Sequence, residues 1–492
     1  MKIILASLGY EPISYTDADK KHPHGYKHVE NSESFYALGL PYIHAYLESK
    51  GHSVIHINHP TLDFDKSKDI IENKILTFSP DYIGFSMVTQ NRVNTYRMIE
   101  YIHAVYPGIK IIIGGIHVTI MHKQLVEKYP YVIAVIGEGE ITFNEIMDTN
   151  NLYTVKGIAF YDKGVIKTEN RELINNLDIL PFPKHPVQDN RTLAIVLSSR
   201  GCSYSCSFCV LNPHSKRIQR MRSVKNVVDE IEYLINFYPR LKSIFFADDA
   251  FMLNNDRVIE ICKEIIKRKI NHLQYFCSSR FKPFKKELLP YLKEAGFVSL
   301  MFGLESANEN ILKTCHKNIK IQDAIDTITL LKDSKMSLHI FLIVGLPGET
   351  KETVIETAHF IQKIQKIKYI AFYNHGPTII SVYPGTEIYE LMKNSGNITD
   401  EYWLSDGPTP AYTLDYSIDE LIKLKHVLID RISFNPLSWE KIYYQTPMLF
   451  YIIKYCIEQK GFDYMIHSVV RFVCPDFLYN RLIKKYKEAK GI

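Results

Sequence analysis

The sequence predicts an α/β protein: an N-terminal doubly wound sheet, a central parallel sheet or barrel, and a mainly helical C-terminal region. Three observations predict it. Short apolar runs alternate with helix-periodic stretches over residues 1–150. The alternation resumes near residue 191 and stops after about Asn397, beyond which helical patterns alone remain. Repeated strand–helix units imply parallel strands, because each crossover returns the chain to the same end of the sheet. At 492 residues the chain has room for several cores.

In the first part, residues 1–150, the strands fall at Ile3 to Ala6, Ser53 to Ile57, Tyr82 to Phe85, Ile109 to Ile113 and Val132 to Ile136. Helical patterns between them include Leu40 to Lys50 and Arg92 to Val105. A doubly wound sheet keeps its ligand crevice at the carboxyl ends of the strands. Here those ends read Ser86-Met87-Val88-Thr89, Gly114-Gly115-Ile116-His117 and Gly137-Glu138-Gly139-Glu140. Glycines there let backbone approach a flat or phosphorylated ligand, and a nucleotide fits that description as well as any other. Residues 151–190 read as a linker, with a hairpin over Val155 to Thr168 and a proline-rich exit at Leu180-Pro181-Phe182-Pro183.

The second part, residues 191–395, begins with the run Leu193 to Ser199 and passes straight into Gly201-Cys202-Ser203-Tyr204-Ser205-Cys206-Ser207-Phe208-Cys209. Three thiols at C-x3-C-x2-C spacing suit three corners of a four-iron cluster and leave one iron open to a substrate or cosubstrate. Structural zinc, with His214 as fourth ligand, is one alternative. Three incidental cysteines are the other. Zinc sites usually pair two knuckles, and Cys262, Cys277, Cys315, Cys456 and Cys474 form none. Further apolar runs follow at Ser243 to Phe246, Leu273 to Phe276, Val298 to Phe302 and His339 to Val344, with helices such as Val224 to Phe237 and Asn255 to Lys267 between them. Polar residues at the strand ends would converge on one rim.

The cysteine loop, with Phe208 before its third cysteine, resembles that of the radical S-adenosylmethionine (SAM) enzymes. Further motifs follow in that family's order: Phe246-Ala247-Asp248-Asp249, Cys277-Ser278-Ser279-Arg280, Gly303-Leu304-Glu305-Ser306, Ile343-Val344-Gly345-Leu346-Pro347-Gly348-Glu349 and Tyr383-Pro384-Gly385-Thr386. The resemblance implies a partial (β/α)6 barrel and a 4Fe-4S cluster on Cys202, Cys206 and Cys209. The open iron would chelate SAM, and one electron, from a donor such as flavodoxin or ferredoxin, would cleave it to a 5′-deoxyadenosyl radical. Phe208 would lie beside the adenine. Asp249 and Glu305 would meet the ammonium and ribose, Arg280 the carboxylate, and Gly345 with Gly348 the adenine.

The first part is similar to the Rossmann-like cobalamin-binding domain that precedes the radical domain in one large subfamily. The matching marks are Ala37-Leu38-Gly39-Leu40-Pro41, Gly114-Gly115-Ile116-His117 and Gly137-Glu138-Gly139-Glu140. The resemblance implies a corrin held by Ser86, Thr89, Gly114, Gly115, His117, Gly137, Glu138 and Gly139. The D-x-H-x-x-G box, whose histidine ligates cobalt in many corrinoid proteins, is absent, as it is from much of this subfamily. For His117 a loop or pocket role is expected in preference to cobalt ligation.

Composition fits a globular protein, with 46% hydrophobic and 23% charged residues. A net charge of +5 implies no nucleic-acid partner. No apolar run approaches the ~20 residues of a membrane span, and Met1 to Leu5 is too short for a signal peptide. Eight cysteines, three of them clustered, suit a reducing cytoplasm. In residues 396–492, Leu421 to Ile432, Met448 to Gln459 and Asp476 to Glu488 read as helices, rich in aromatics such as Trp403, Trp439 and Phe450. Core packing explains these aromatics better than a recognition surface. The run Pro447 to Ile453 would suit peripheral membrane contact. The two cofactors together imply a cobalamin-dependent radical SAM methyltransferase acting on an unactivated carbon of a small-molecule, lipid or peptide substrate. One SAM would methylate the cobalamin and a second would make the radical. The alternative is a ring-forming oxidoreductase, because a cyclase of bacteriochlorophyll synthesis belongs to the same group. A domain that only carries cobalamin would not need the cluster motif. A methylthiotransferase would carry a second cysteine triad in the N-terminal domain.

Overall fold

The computed structural model describes residues 1–9, 37–58, 63–185, 191–211, 215–371 and 377–433. Strands β1 (Lys2–Ser7), β2 (Ser53–Asn58), β3 (Tyr82–Ser86), β4 (Lys110–Gly114) and β5 (Val132–Val135) form a parallel sheet in the order β2-β1-β3-β4-β5. Ile3, Ile4, Leu5 and Ala6 are all buried, so β1 has apolar cover on both faces. That is why it reads as a continuous apolar run rather than an alternating one. Helices α1 (Gly39–Ser49), α2 (Phe64–Phe78), α3 (Arg92–Val105) and α4 (Ile116–Lys128) make the crossovers, and α5 (Gly139–Asp148) follows β5. The chain winds outward from β1 to β2, then restarts on the other side at β3. That reversal opens a crevice beyond the carboxyl ends of β1 and β3.

The hairpin expected in the linker forms, as β6 (Ile158–Tyr161) and β7 (Val165–Lys167), but it belongs to the first sheet. β6 pairs antiparallel with β5. Ile158 and Ala159 are fully buried there, and the open edge of β5 supplies both backbone partners and apolar cover.

The second sheet is parallel and follows chain order: β8 (Leu193–Val196), β11 (Ser243–Phe246), β12 (Gln274–Ser279), β13 (Phe297–Glu305), β14 (Ser337–Val344) and β15 (Ile370–Ala371). Strictly sequential order with a helix after each strand is how a barrel is wound. Among the described residues β8 and β15 do not pair with each other, so the sheet curls into a half-barrel with an open seam. Helices α6 (Val224–Phe237), α7 (Asn255–Lys267), α8 (Leu288–Ala295), α9 (Glu309–Thr314), α10 (Ile321–Leu331) and α11 (Lys351–Gln365) intervene between its strands. A two-residue ribbon of β9 (Ser199–Arg200) and β10 (Arg220–Met221) closes the base of the cysteine loop. After β16 (Thr378–Ile379), which pairs parallel with the end of β14, come α12 (Glu387–Asn394) and α13 (Ile418–Ser433). Helix α13 covers the expected helix at Leu421 to Ile432 and packs on α11. The expected helices at Met448 to Gln459 and Asp476 to Glu488, and the run Pro447 to Ile453, lie outside the described residues. No described helix is long and apolar enough to cross a membrane.

One apolar core fills the half-barrel. A second is shared: Ile4, Phe85 and Ile113 of the first sheet pack in one cluster with Ile380, Val382, Ile388 and Trp403 from beyond the second. The two sheets are therefore joined by common packing, and the crevice of the first faces the rim of the second.

Candidate functional site

Strand β8 ends in a carboxylate clamp. Asp248, fully buried, accepts hydrogen bonds from Ser198 N (3.0 Å) and Ser198 Oγ (2.8 Å), and from Ser199 Oγ. Asp249 accepts from Gly201 N at 2.9 Å. Burial pushes the Asp249 carboxyl up to about 6, despite that bond. Gly201 sits at φ +85, and a Cβ there would collide with the Ile218 carbonyl across the loop. Only glycine fits, because an L-residue is both strained and obstructed. The cysteine loop is then pinned in its middle. Cys209 N bonds Cys206 O (3.0 Å), and Ser207 N bonds Cys315 O (3.1 Å) at the end of α9. Ile388 N of α12 donates to Ser207 O at 3.3 Å. Cys206 is buried, while Cys202 and Cys209 are half-buried. Burial raises the Cys202 thiol, and raises that of Cys209 to about 11.

The described donors do not gather around one ion: no three His, Cys, Asp or Glu side chains among them are placed to hold a single metal. His214, the fourth ligand of the zinc reading, lies outside the described residues. Arg280 supplies the test of whether an iron–sulfur cluster with its cosubstrate fits. Its Nη1 donates to Cys206 Sγ at 3.3 Å, and its guanidinium stacks on Tyr204 at 3.7 Å. Its Nε and Nη2 are buried with no hydrogen-bond partner. Buried guanidinium donors are rarely left unmade, and a fork beside the thiols matches a carboxylate. The residues present fit the group.

Glu305 adopts φ +69 at a bulge where the β13–β14 register shifts. Its carboxylate pairs with Lys317 at 2.6 Å, both side chains being under one-tenth exposed. Lys317 also lies 6.0 Å from the Phe208 ring. Sequence reasoning missed Lys317; it stands in an unremarkable polar stretch, Cys315-His316-Lys317-Asn318. Gly303 lies directly beneath the pair: a Cβ there would stand 2.5 Å from Glu305 Oε1 and 2.7 Å from Lys317 Nζ, so any side chain would displace their charged ends. Gly345, at φ +88, has its N–H bound to Glu349 Oε2 (2.6 Å) and its open side filled by Leu421 of α13. Burial raises Glu349 to about 7.

The crevice and the rim share one cavity of about 480 Å3. Ser86, Gly114, Gly115, Gly137, Glu138 and Gly139 line it from the first sheet; Gly201, Leu211 and Asp249 line it from the second. Much of the remaining wall is aliphatic, including Leu5, Ile43, Ile112 and Val135. Such a wall suits a large, flat, mostly apolar ring. Gly115 has φ +103, and a Cβ would stand 2.6 Å from Met87 O. Thr89 and His117 do not line the cavity. They are buried behind it, with Thr89 Oγ 3.1 Å from His117 Nδ1 and Tyr96 OH 3.1 Å from His117 Nε2. Tyr96 spends its proton on Trp403 O (3.0 Å), so Nε2 carries the ring hydrogen and Nδ1 accepts from Thr89. Burial, with Arg92 nearby, lowers His117 to about 3. Both ring nitrogens are thus engaged with neighbouring side chains at the start of α4. Glu138 lines the cavity, yet its carboxylate turns to Arg200 and Arg220, two residues that sequence reasoning missed. Nothing in the sequence pairs them, because they lie 62 and 82 positions away.

Residues 196–361 match the model of the radical SAM superfamily, and residues 32–147 match that of the B12 binding domain. An uncharacterized methyltransferase of Pyrococcus horikoshii is 30% identical over 440 residues, covering 86% of this chain and 91% of that protein. The anaerobic magnesium-protoporphyrin IX monomethyl ester cyclase of Rubrivivax gelatinosus is 32% identical over 341 residues, 65% of this chain and 60% of the cyclase. Among solved structures, the cobalamin-dependent SAM radical enzyme OxsB superposes with a TM-score of 0.70 at 16% identity, over 100% of this chain and 75% of that one. The radical SAM methyltransferase TsrM of Kitasatospora setae, solved with cobalamin and a 4Fe-4S cluster, gives 0.63 at 17% identity, over 85% and 80%. These two likenesses concern the fold.

Proposed function

Because this chain belongs to the radical SAM enzymes that carry an N-terminal B12-binding domain, we propose that it is a methyltransferase acting on an unactivated carbon. The observation that carries the proposal is the single cavity running from the glycine-lined crevice to the start of the cysteine loop. In this reading Cys202, Cys206 and Cys209 hold a 4Fe-4S cluster, and the crevice loops hold the corrin. Bound there, the cofactors and SAM supply a hydrogen-abstracting carbon radical and a transferable methyl group, chemistry that side-chain acids and bases cannot provide. The protein's own residues place and shield it. Arg280 offers two unspent donors to the cosubstrate carboxylate. Lys317 neutralises Glu305 and holds it at the strand end, where it would meet the ribose. Asp249 fixes the loop entry through Gly201 N. The aliphatic wall keeps water from a radical that must meet its methyl before it is quenched. The cluster on these cysteines would need an external one-electron donor.

Methyl transfer consumes SAM in two ways. Turnover with the right substrate should therefore give 5′-deoxyadenosine and S-adenosylhomocysteine in near-equal amounts. Labelled methyl from SAM should appear on carbon. The cyclase relative, at 32% identity, supports a second reading, a ring-forming oxidation. That reaction would give 5′-deoxyadenosine without matching S-adenosylhomocysteine, and an oxidised product with no added methyl would overturn the methyltransferase assignment.

A further inference from the structure

The Gly137-Glu138-Gly139-Glu140 loop faces two ways. Its glycines border the cavity, and Gly137 adopts φ +87. Its glutamates reach the other domain. Glu138 Oε1 accepts from Arg200 Nη1 (2.9 Å) and Arg220 Nη2 (3.0 Å). Glu138 Oε2 accepts from Arg220 Nη1 (2.8 Å) and Ile174 N (2.8 Å). Four donors fill the carboxylate's capacity, so it has nothing left to offer a corrin amide. Glu140 takes the other arm of Arg200 at 2.7 Å.

Arg200 and Arg220 are themselves paired across the β9–β10 ribbon, from which the cysteine loop emerges and to which it returns. Cys202 is two residues beyond Arg200. One buried carboxylate of the crevice thus grips both ends of the loop that would carry the cluster. The side chains of Glu138, Glu140 and Arg220 are under one-tenth exposed, and that of Arg200 is 17% exposed. Buried ion pairs add little net stability against apolar substitutes, but two-pronged arginine–carboxylate contacts fix orientation tightly.

We propose that Glu138 is a positioning residue that sets the crevice at a fixed distance and angle from the cysteine loop, acting through Arg200 and Arg220. The role assigned to the two cofactors here rests on the function proposed above. A methyl donor and a carbon radical must be held in contact geometry, and a displacement of about 1 Å costs on the order of 100-fold in such reactions. The loop that lines the crevice is therefore the one that also clamps the cluster loop, so neither can shift alone.

The test is Glu138→Gln in the full chain, read without turnover. In cofactor-free protein, hydrogen exchange should rise in peptides spanning residues 199–209 and 220–221, not only in the substituted loop. After reconstitution with iron, sulfide and hydroxocobalamin, iron and corrinoid contents should stay near wild type. The dipolar splitting between cob(II)alamin and the reduced cluster, sharp in the wild type, should be lost into a broad distribution. Arg220→Lys keeps the charge but breaks the fork, and should show the same changes in weaker form. It reads the same quantity if Glu138→Gln does not fold. Loss of corrinoid with unchanged exchange at 199–209 would make Glu138 a cofactor contact and overturn the proposal. Unchanged exchange and sharp splitting would overturn it equally. A wild type that binds neither cofactor would sink the proposed function instead, while the exchange experiment still decides the role of Glu138.

Discussion

Cys202, Cys206 and Cys209 carry the sharpest residue-level expectation. Replacing the three with Ala should abolish the visible absorbance of anaerobically reconstituted protein. Replacing Cys262 and Cys277, which are buried in the half-barrel core, and Cys315, which is buried beside the loop, should leave iron content near wild type. A triple-Ala variant that still held four irons would end the cluster assignment. His117 makes a different prediction. Its pKa falls from an unfolded value near 6.5 to about 3, so between those limits the unfolded chain binds the extra proton. Stability therefore rises with pH across that window and is lost as pH falls below about 6.5. The slope is at most ~1.4 kcal/mol per pH unit for this one group. His44 and His56, lowered to about 4 by burial, act in the same direction. His117→Gln should flatten the dependence of urea midpoint on pH between 5 and 7. Identical slopes in variant and wild type would mean that the ring is not buried neutral.

At the scale of elements, the turns after strands carry the site. Gly115 joins β4 to α4 with φ +103 and almost no room for a methyl group. Gly115→Ala should cost ~1–3 kcal/mol of backbone strain. It should also weaken corrinoid retention, because relief requires moving Met87 and the crevice floor. Full corrinoid content with an unchanged unfolding midpoint would contradict this. The β13 bulge gives a second case. Lys317→Met leaves Glu305 buried without its cation, a change worth about 3–5 kcal/mol if uncompensated. SAM affinity, read by equilibrium dialysis, should fall at least tenfold while iron content is kept. Unaltered affinity would show that the pair serves the bulge alone. These turns were half legible in the sequence. The parallel strands announced themselves because burial on both faces leaves uninterrupted apolar runs, as in Ile111, Ile112 and Ile113. The cysteine triad and the glycine-rich strand ends announced themselves because chemistry fixes their local spacing. The bulge at Glu305 did not, since a register shift against β14 depends on a strand more than thirty residues away. Nor did the place of β6 and β7 in the first sheet. The hairpin itself was legible, but only the open edge of β5 decides where it docks.

At the scale of the molecule, what could not be read is what joins the two sheets, because every joining contact links residues far apart in the chain. Trp403 is the clearest of these. It is fully buried, and it lies in the same apolar cluster as Ile4 and Ile113. Arg92 of α3 stacks over its ring at 5.3 Å and donates to Gly407 O. Tyr96 holds its backbone carbonyl, and through Tyr96 the same network reaches His117 beneath the crevice. Lys128 of α4 donates to Leu404 O at 2.7 Å, and Gln90 donates to Tyr383 OH at 2.9 Å. The segment after the second sheet is thus packed against the helices that frame the first sheet's ligand crevice. At the base of the cysteine loop, Glu138 with its two arginines makes a further join. These contacts, apolar, hydrogen-bonded and ionic, together with Arg200 over the Tyr42 ring and Leu197 packed beside Tyr42, hold a crevice against a rim, an arrangement in which a shared cavity can keep its shape. Trp403→Ala removes the largest side chain of the shared apolar core and should cost about 3–5 kcal/mol, in the range of large aromatic truncations in a core. The cost should fall on the union rather than on either sheet. Wild-type protein should unfold in one transition, whether followed by far-UV circular dichroism or by hydrogen exchange of β3 and β13. Trp403→Ala should separate these into two transitions, because each sheet keeps its own inner core. A single transition merely shifted to lower temperature would show instead that the remaining contacts, Glu138 with its arginines and the rest of the shared core, suffice to couple them.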